Sequence, residues 1–481
     1  MKHRAKTLPP SGMRLIRPGT ECEGWPLALA LTAILILVVP LLVVGMEWTG
    51  RYVNPVLPAL GVIAIAGVRF SYLIFTTIRS PYEVIFWIFT YLFLGVAPLV
   101  QTLQGIFPET TPRVDGQFVT PAWTVIYVGI LGFIGGTTCA GRLDPPEIDR
   151  PLVGFPRQAA ATAAVCISAL AVIARLGPSS LFTDRYEFAD RVSRIFSDPS
   201  RSALIMGFTS MGLLAITVMA IRKLRHQDRQ PRDWALFAVS SITLLLMINP
   251  LTSPRFLVGI VALALLAAAG AFGSFWGYRL LFIGLLVGMV TLFPFLNLFR
   301  VSSGSAATGT GLASMTSGDF DAFAQIINTV DYVNSEGGTA GKQLLGSLLF
   351  FVPRSVWADK PTDTGILLAD YQHYGFTNLS APLWSEMYID GGIQLVAMGF
   401  FLLGIGVRLL DGRVEGQIRG MGSPSIINCI LPFYFLMVMR GSLLQAASQV
   451  VAIIACSLLA TGLRLPTPEM QGQTAHSTDN L

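Results

Sequence analysis

Apolar runs recur along the chain, and each is about as long as the roughly 20-residue α-helix that crosses a bilayer. In a lipid environment a spanning helix satisfies its backbone hydrogen bonds internally. The sequence therefore predicts an all-α polytopic membrane protein. The twelve predicted spans are 25–46, 54–76, 82–105, 121–140, 157–177, 202–221, 233–249, 255–274, 277–299, 387–409, 424–440 and 442–463.

Composition agrees with a membrane protein and leaves no room for a separate soluble domain. Of the 481 residues, 53% are hydrophobic and 13% are charged, whereas soluble proteins carry about 25% charged residues. The five cysteines are scattered and suggest neither a disulfide framework nor a metal site. We found no phosphate-binding loop, dinucleotide-binding glycine pattern or metalloprotease motif. The net charge of +5 reflects topology rather than nucleic-acid binding.

Basic residues predict the orientation of the spans. With twelve spans, nineteen Lys and Arg residues fall on the side of both termini and twelve on the other side. The first side is therefore predicted to be cytoplasmic. The predicted regions are a basic tail (1–24), nine spans (25–299), a large outer loop (300–386), three spans (387–463) and a disordered cytoplasmic tail (464–481).

The sequence of the outer loop, between the ninth and tenth spans, predicts three different segments. Residues 302–318 are rich in small residues and are expected to be flexible. An amphipathic helix is then predicted by the spacing of Phe320, Phe323, Ile327 and Val330. A short leucine run, 344–349, ends before Pro353 and is expected to dip into the membrane interface.

Polar residues gather between Phe350 and Glu386. Arg354 and Lys360 could grip a phosphate, because arginine donates two parallel hydrogen bonds. Alternatively, these two cations pair with Asp359 and Asp363 and stabilise the loop.

Three further arginines, Arg255, Arg300 and Arg440, are predicted on the same outer side. Either they contribute to an anion site, or they extend towards lipid headgroups. The four arginines between the fifth and sixth spans either form another basic surface or are neutralised by neighbouring acids; they are Arg185, Arg191, Arg194 and Arg201.

Two residues could act as a general base. His373 is the only histidine predicted on the outer side, and its alternative role is that of a polar loop residue bonded to backbone. Glu386 and Asp390 open the predicted tenth span, where a carboxylate also serves as an ordinary helix cap. Asp363 is the next candidate.

The string FFVPRSVWADKP, residues 350–361, resembles the bacterial oligosaccharide repeat-unit polymerases, the O-antigen polymerase (Wzy-type) family. The likeness continues through Ala381-Pro382, Glu386, Tyr388, Gly391-Gly392 and the late pair Arg440-Gly441. Some relatives have Arg-x10-Gly patterns in two periplasmic loops, and Arg300 with Gly311 and Arg354 with Gly365 fit that pattern.

The resemblance implies a GT-C-like, metal-independent and inverting glycosyltransferase of the bacterial inner membrane, without a cofactor. Its donor and acceptor would be glycans on undecaprenyl diphosphate, and its partners would include membrane lipids, a chain-length regulator and a flippase. Arg354, Lys360, Arg300, Arg255 and Arg440 would bind the diphosphate. Glu386 or His373 would be the catalytic base, with Arg354 also catalytic.

Three other functions remain open at this stage. An O-antigen ligase of the same architecture would need the same cations and base. A polysaccharide transporter or flippase is a second alternative, although no inverted repeat is evident. A structural assembly subunit without activity is the third.

Overall fold

The computed structural model describes residues 24–47, 56–141, 155–183, 185–196, 199–225, 229–292 and 311–461, and within these ranges the backbone forms helices, turns and loops without a β-strand. Predictions for the N-terminal tail, for Arg300, for residues 302–310 and for the C-terminal tail fall outside the described residues.

The helices follow one another in a single series. They are α1 Trp25–Met46, α2 Leu57–Phe75, α3 Pro81–Gln104, α4 Val119–Cys139, α5 Phe155–Leu176, α6 Arg185–Ile195, α7 Pro199–Leu224, α8 Pro231–Met247, α9 Arg255–Ala271, α10 Phe275–Val290, α11 Ala322–Glu336, α12 Lys342–Leu348, α13 Thr364–Tyr371, α14 Leu383–Met421, α15 Ile426–Arg440 and α16 Leu443–Thr461.

Each of the twelve predicted spans overlaps one of these helices. In the described part of the chain, eight helices are long and apolar enough to cross a membrane: α1, α2, α3, α4, α5, α7, α14 and α16. Three further apolar helices, α9, α10 and α15, are shorter. The chain is thus an all-α protein with the helices of a membrane-embedded protein, and a total of twelve crossings stays a prediction.

The helix that contains the predicted tenth span, 387–409, is longer than that span. The helix α14 begins four residues earlier, at Leu383, and continues to Met421. It is interrupted by a kink at Gly391-Gly392, where Gly392 has φ 62 and ψ −157. Glycine adopts such angles without the steric cost that other residues meet.

The predicted amphipathic helix of the outer loop is confirmed as α11. Phe323, Ile327 and Val330 are all buried, and Phe320 lies in the short 3₁₀ turn Gly318–Phe320 just before the helix. Its apolar face packs against α14 and α4. The outer loop is therefore joined to the helical bundle by a shared core.

Helix α3 lies at the centre of the bundle. Every residue from Pro81 to Leu103 is buried, and α2, α14 and α15 are among the helices that pack against it. A helix that is apolar all round, as this one is, belongs in the interior.

The N-terminus of α3 is capped by a side chain from α14. The Asp411 carboxylate accepts hydrogen bonds from the backbone N–H groups of Tyr82 at 2.9 Å and Glu83 at 3.1 Å. Such N–H groups have no partner within their own helix. Glu83 is fully buried and forms ion pairs with Arg69 at 2.7 Å and Arg408 at 3.8 Å. One end of α3 therefore carries a buried network of charges.

The other end of α3 holds the outer loop. The Gln101 amide donates to the backbone carbonyls of Met315 at 2.8 Å and Phe320 at 2.9 Å. Arg440 also contacts this part of the loop. Arg408, which pairs with Glu83, and Arg440 thus lie near opposite ends of α3. Which end faces the cytoplasm stays a prediction.

Helices α4 and α14 pack backbone to backbone. A Cβ atom on Gly136 would lie 2.0 Å from the carbonyl oxygen of Phe401, and one on Gly404 would lie 2.4 Å from that of Phe133. Small residues allow this approach, which provides the van der Waals contact that drives helix association in lipid.

Gly136→Ala is expected to force α4 away from α14, and overpacking of this kind costs about 1–3 kcal/mol. We expect a lower midpoint of thermal unfolding, measured by size-exclusion chromatography of detergent-solubilised protein after heating. Gly406→Ala on α14 is the matched control, because nothing lies within 4 Å of an added Cβ atom there. Equal losses in the two variants would contradict the close packing.

Candidate functional site

Arg255 and Arg440 meet at the segment Gly318–Asp321, although they come from the start of α9 and the end of α15. Arg255 forms an ion pair with the Asp319 carboxylate. Arg440 donates to the backbone carbonyls of Asp319 at 3.0 Å and Gly318 at 3.1 Å. The two arginine side chains are only 11% and 14% exposed. The structure thus brings two predicted site cations together in a largely enclosed setting.

We call Arg255, Arg440 and the acidic residues that they contact the arginine cluster, and Asp321 is its second acidic residue. Its carboxylate lies 3.5 Å from the Arg440 guanidinium and accepts a hydrogen bond from the Ser380 N–H at 3.0 Å. Burial raises the pKa of Asp321, while Arg440 and Ser380 act in the opposite direction. The segment is therefore held to α15 and to the end of the outer loop at once.

Arg354 and Lys360 fold their own loop. The Lys360 ammonium is buried and donates to the carbonyls of Phe350 at 2.7 Å and Val352 at 2.9 Å. Arg354 is exposed and donates to the carbonyls of Lys360 at 2.7 Å and Pro361 at 3.1 Å. These bonds close the turn between residues 350 and 361.

The alternative that Arg354 pairs with an acid of its own loop is wrong for the described structure. Arg354 forms no ion pair there with Asp359 or Asp363. The two prongs of its guanidinium grip backbone oxygens, a geometry that an ammonium group does not reproduce.

Glu386 is buried in the first turn of α14, at 1% exposure. One of its oxygens accepts from the Leu443 N–H at 3.0 Å and the other from the Thr364 hydroxyl at 2.9 Å. Glu386 therefore joins the starts of three helices, α13, α14 and α16. As the sequence predicted, Glu386 lies at the start of this helix, but its carboxylate is buried against α13 and α16.

Asp363 is the second buried carboxylate, and it interacts electrostatically with Glu386. Its Oδ1 accepts from the Gly365 N–H at 2.9 Å and caps α13. Its Oδ2 has no hydrogen bond of good geometry, although Ser442 and Gln445 lie beside it. Burial raises the pKa of Asp363, and the neighbouring donors only partly oppose that rise.

No described lysine or arginine forms an ion pair with Asp363 or Glu386. Both side chains are buried, and burial of a carboxyl group away from a cation disfavours its ionised form. The arrangement therefore suits the holding of a proton. We call Asp363 and Glu386 the carboxylate pair.

His373 is exposed in the turn that follows α13, with φ 53. Its backbone N–H donates to the Asp370 carbonyl at 3.2 Å. Among the described contacts, none joins His373 to the carboxylate pair. Of the two predicted bases, Glu386 is buried and belongs to the carboxylate pair, whereas His373 is exposed.

Asp390 was expected to share the start of α14 with Glu386, and it caps a different helix. It accepts the N–H groups of Gln343 at 3.1 Å and Leu344 at 2.7 Å, which belong to the first turn of α12. The Thr339 hydroxyl also donates to it. Asp390 thus ties α12 to α14 just before the Gly391-Gly392 kink.

Two of the four arginines between α5 and α7 are neutralised by acids. Arg191 pairs with Glu187 at 2.6 Å and Arg194 with Asp190 at 2.5 Å, both along α6. For these two residues, the alternative that neighbouring acids neutralise the arginines is confirmed. The side chains of Arg185 and Arg201 lie outside the described part.

Sequence reasoning missed the acidic partners Asp319 and Asp321 and the polar neighbours Thr364, Ser442 and Gln445. The string Gly-Asp-Phe-Asp at 318–321 was a possible signal, because it is the first acidic pair after the small-residue stretch. Nothing local indicated which arginine would meet it. Within the described ranges, no three His, Cys, Asp or Glu side chains are grouped to hold a metal ion.

No protein-family profile, curated protein or solved structure matches this chain. The resemblance carried by residues 350–361 stays a hypothesis. The arrangement of the arginine cluster and the carboxylate pair is what bears on function.

Asp363→Asn is expected to flatten the dependence of stability on pH. Because burial raises the pKa of Asp363 above its ordinary 3.8, the folded state holds this proton more tightly than the unfolded state. Stability then falls as pH rises from 3.8 through the raised value. Asparagine stays neutral and still caps α13, so the variant loses less stability over that interval.

The measurement is the unfolding midpoint of the detergent-solubilised protein over a pH series. Asp370→Asn is the matched control, because Asp370 is exposed on the same helix. A pH profile of Asp363→Asn that overlays the wild-type profile would show that Asp363 does not titrate with folding.

Proposed function

We propose that the protein is a membrane glycosyltransferase that polymerises lipid-linked oligosaccharide repeat units, with the lipid diphosphate of the donor as leaving group. The observation that carries this proposal is that the arginine cluster and the carboxylate pair are joined by the short turn after α15: Arg440 binds the Gly318–Asp321 segment, and three residues later the Leu443 N–H binds Glu386. The charged groups come from α9, the outer loop, α14 and α15. Ionisable residues inside a bundle of apolar helices are costly to bury and are often functional.

The arginine cluster supplies what a diphosphate leaving group requires. Negative charge grows on its oxygens as the glycosidic bond breaks, and fixed cations in a water-poor site stabilise that charge. Arg255 and Arg440 are already oriented by Asp319 and by the backbone of Gly318. In this proposal the diphosphate takes the place of the Asp319 carboxylate against Arg255.

Arg354 supplies the exposed part of the anion site, and Lys360 holds its loop in shape. Because Lys360 donates to two carbonyls, Arg354 stays on a closed turn. Its guanidinium retains N–H donors besides the two that bind Lys360 and Pro361. Those donors are available to a phosphate oxygen. Arg300, outside the described residues, is assigned to the same site by the sequence resemblance alone.

The carboxylate pair provides the base. In an inverting transfer, the acceptor hydroxyl loses its proton as it attacks the anomeric carbon. Asp363 Oδ2 has acceptor capacity left, and Glu386 is fixed beside it by Thr364 and Leu443. We therefore assign the proton to the pair rather than to Glu386 alone. His373 is the alternative base, from the surface turn.

The proposed setting is a bacterial inner membrane, with both termini in the cytoplasm and this site on the periplasmic face. Undecaprenyl diphosphate would carry donor and acceptor, and a flippase and a chain-length regulator would be partners. Eight membrane-length helices support the membrane location. The uneven distribution of basic residues supports the orientation.

Purified protein supplied with a lipid-linked repeat unit alone is expected to give a ladder of longer products on a gel. Product formed only when lipid A core is added would identify a ligase instead. If protein shown to be folded leaves the substrate unchanged, glycosyl transfer is excluded and the transporter alternative is favoured.

Arg354→Lys is expected to slow polymerisation about as much as Arg354→Ala, by roughly a hundredfold, because a positive charge without the planar two-pronged donor geometry does not match the diphosphate. The readout is the initial rate of ladder formation by purified variants with matched folded amounts. Arg191→Lys is the control, since the Arg191–Glu187 pair is exposed on α6. Wild-type ladders from Arg354→Lys would leave Arg354 without a phosphate role.

A further inference from the structure

Helix α12 buries its small and polar residues and exposes its leucines. Its buried residues are Gln343, Gly346 and Ser347, whereas Leu345 is 46% exposed and Leu348 is 73% exposed. A helix at a water-facing surface of a protein has the opposite arrangement. The face that α12 directs away from the protein is therefore apolar.

This orientation is fixed by contacts on the inner face. The Asp390 carboxylate holds the first N–H groups of α12, including that of Gln343 at 3.1 Å. A Cβ atom on Gly346 would lie 2.3 Å from Pro361, so the two are in close contact. The helix cannot roll to bury Leu345 and Leu348 without breaking both contacts.

The exposed apolar surface continues beyond α12. Phe351 is 56% exposed and Val356 is 77% exposed. Arg354, between them in sequence, is exposed as well, as is Lys342 at the start of the helix. We call residues 342–356 the anchor segment.

We propose that the anchor segment is inserted in the headgroup and upper acyl region of the bilayer, with Leu345, Leu348, Phe351 and Val356 in contact with lipid. Helix α12 packs on α14 and α16, two helices long and apolar enough to span a membrane. Both of those helices expose apolar side chains, Met398 on α14 and Val451 on α16. The anchor segment therefore packs on two membrane-length helices that themselves expose apolar side chains.

The charges of the segment fit the same partner. Lys342 and Arg354 are exposed near its two ends, and the segment itself, residues 342–356, contains no acidic residue. Long basic side chains at the edge of an apolar patch reach the phosphate groups of lipids. Insertion would hold the Arg354 fork at headgroup depth. The insertion itself does not depend on the proposed reaction.

The test places the photoreactive residue p-benzoyl-phenylalanine at position 348 or 356 of the full chain. The protein is reconstituted in vesicles of phosphatidylethanolamine and phosphatidylglycerol, irradiated and analysed by mass spectrometry. The control position is Glu336, which is exposed at the end of α11 among polar residues. The lipids of the vesicle are the probe.

Phospholipid adducts at 348 and 356, with none above background at 336, are the expected result. Cross-links from 348 to a second copy of the chain would overturn the proposal in favour of a protein interface. Equal adducts at 348 and 336, or none at any position, would overturn it as well. A variant that fails to reach the vesicles is replaced by the same substitution at Leu345, which lies on the same face.

Discussion

Complete burial of α3 is the constraint on which the rest of this structure depends. A helix with neither water nor lipid around it needs protein partners for the unpaired groups at both of its ends. Asp411 supplies them at the N-terminus, and Gly105 ends the helix in the left-handed conformation at φ 66. Near that C-terminus, the Gln101 amide binds the outer loop. Buried polar networks therefore form at the two ends of an apolar bundle, where function can be placed.

The two ends differ in how their charges are balanced. At the Asp411 end, Glu83 lies between Arg69 and Arg408, so the carboxylate is matched by cations. At the other end, the arginine cluster is matched by Asp319 and Asp321, while the carboxylate pair has no described cation partner. A buried acid without a cation favours its protonated form. Only this second end therefore combines anion-binding groups with groups poised to exchange a proton.

Helix α14 connects these ends. It carries Glu386 in its first turn and Asp411 near the opposite end, and its packing against α4 brings the backbones of Gly136 and Phe401 together. The kink at Gly391-Gly392 follows Asp390, which caps α12. One helix thus sets the position of the carboxylate pair, of the anchor segment and of the α3 cap. Rigid packing of this kind is suited to holding reacting groups in register.

The sequence by itself determined the all-α class, the apolar segments and helix α11, because length and periodicity are local properties. Only the tertiary structure decided that Arg255 and Arg440 share the Gly318–Asp321 segment, that Glu386 is buried, and that Leu348 points outward. Those facts depend on contacts between residues far apart in the chain. Periodicity shows that a helix has an apolar face, but packing decides what that face meets, so the partners of a buried charge follow from the fold alone.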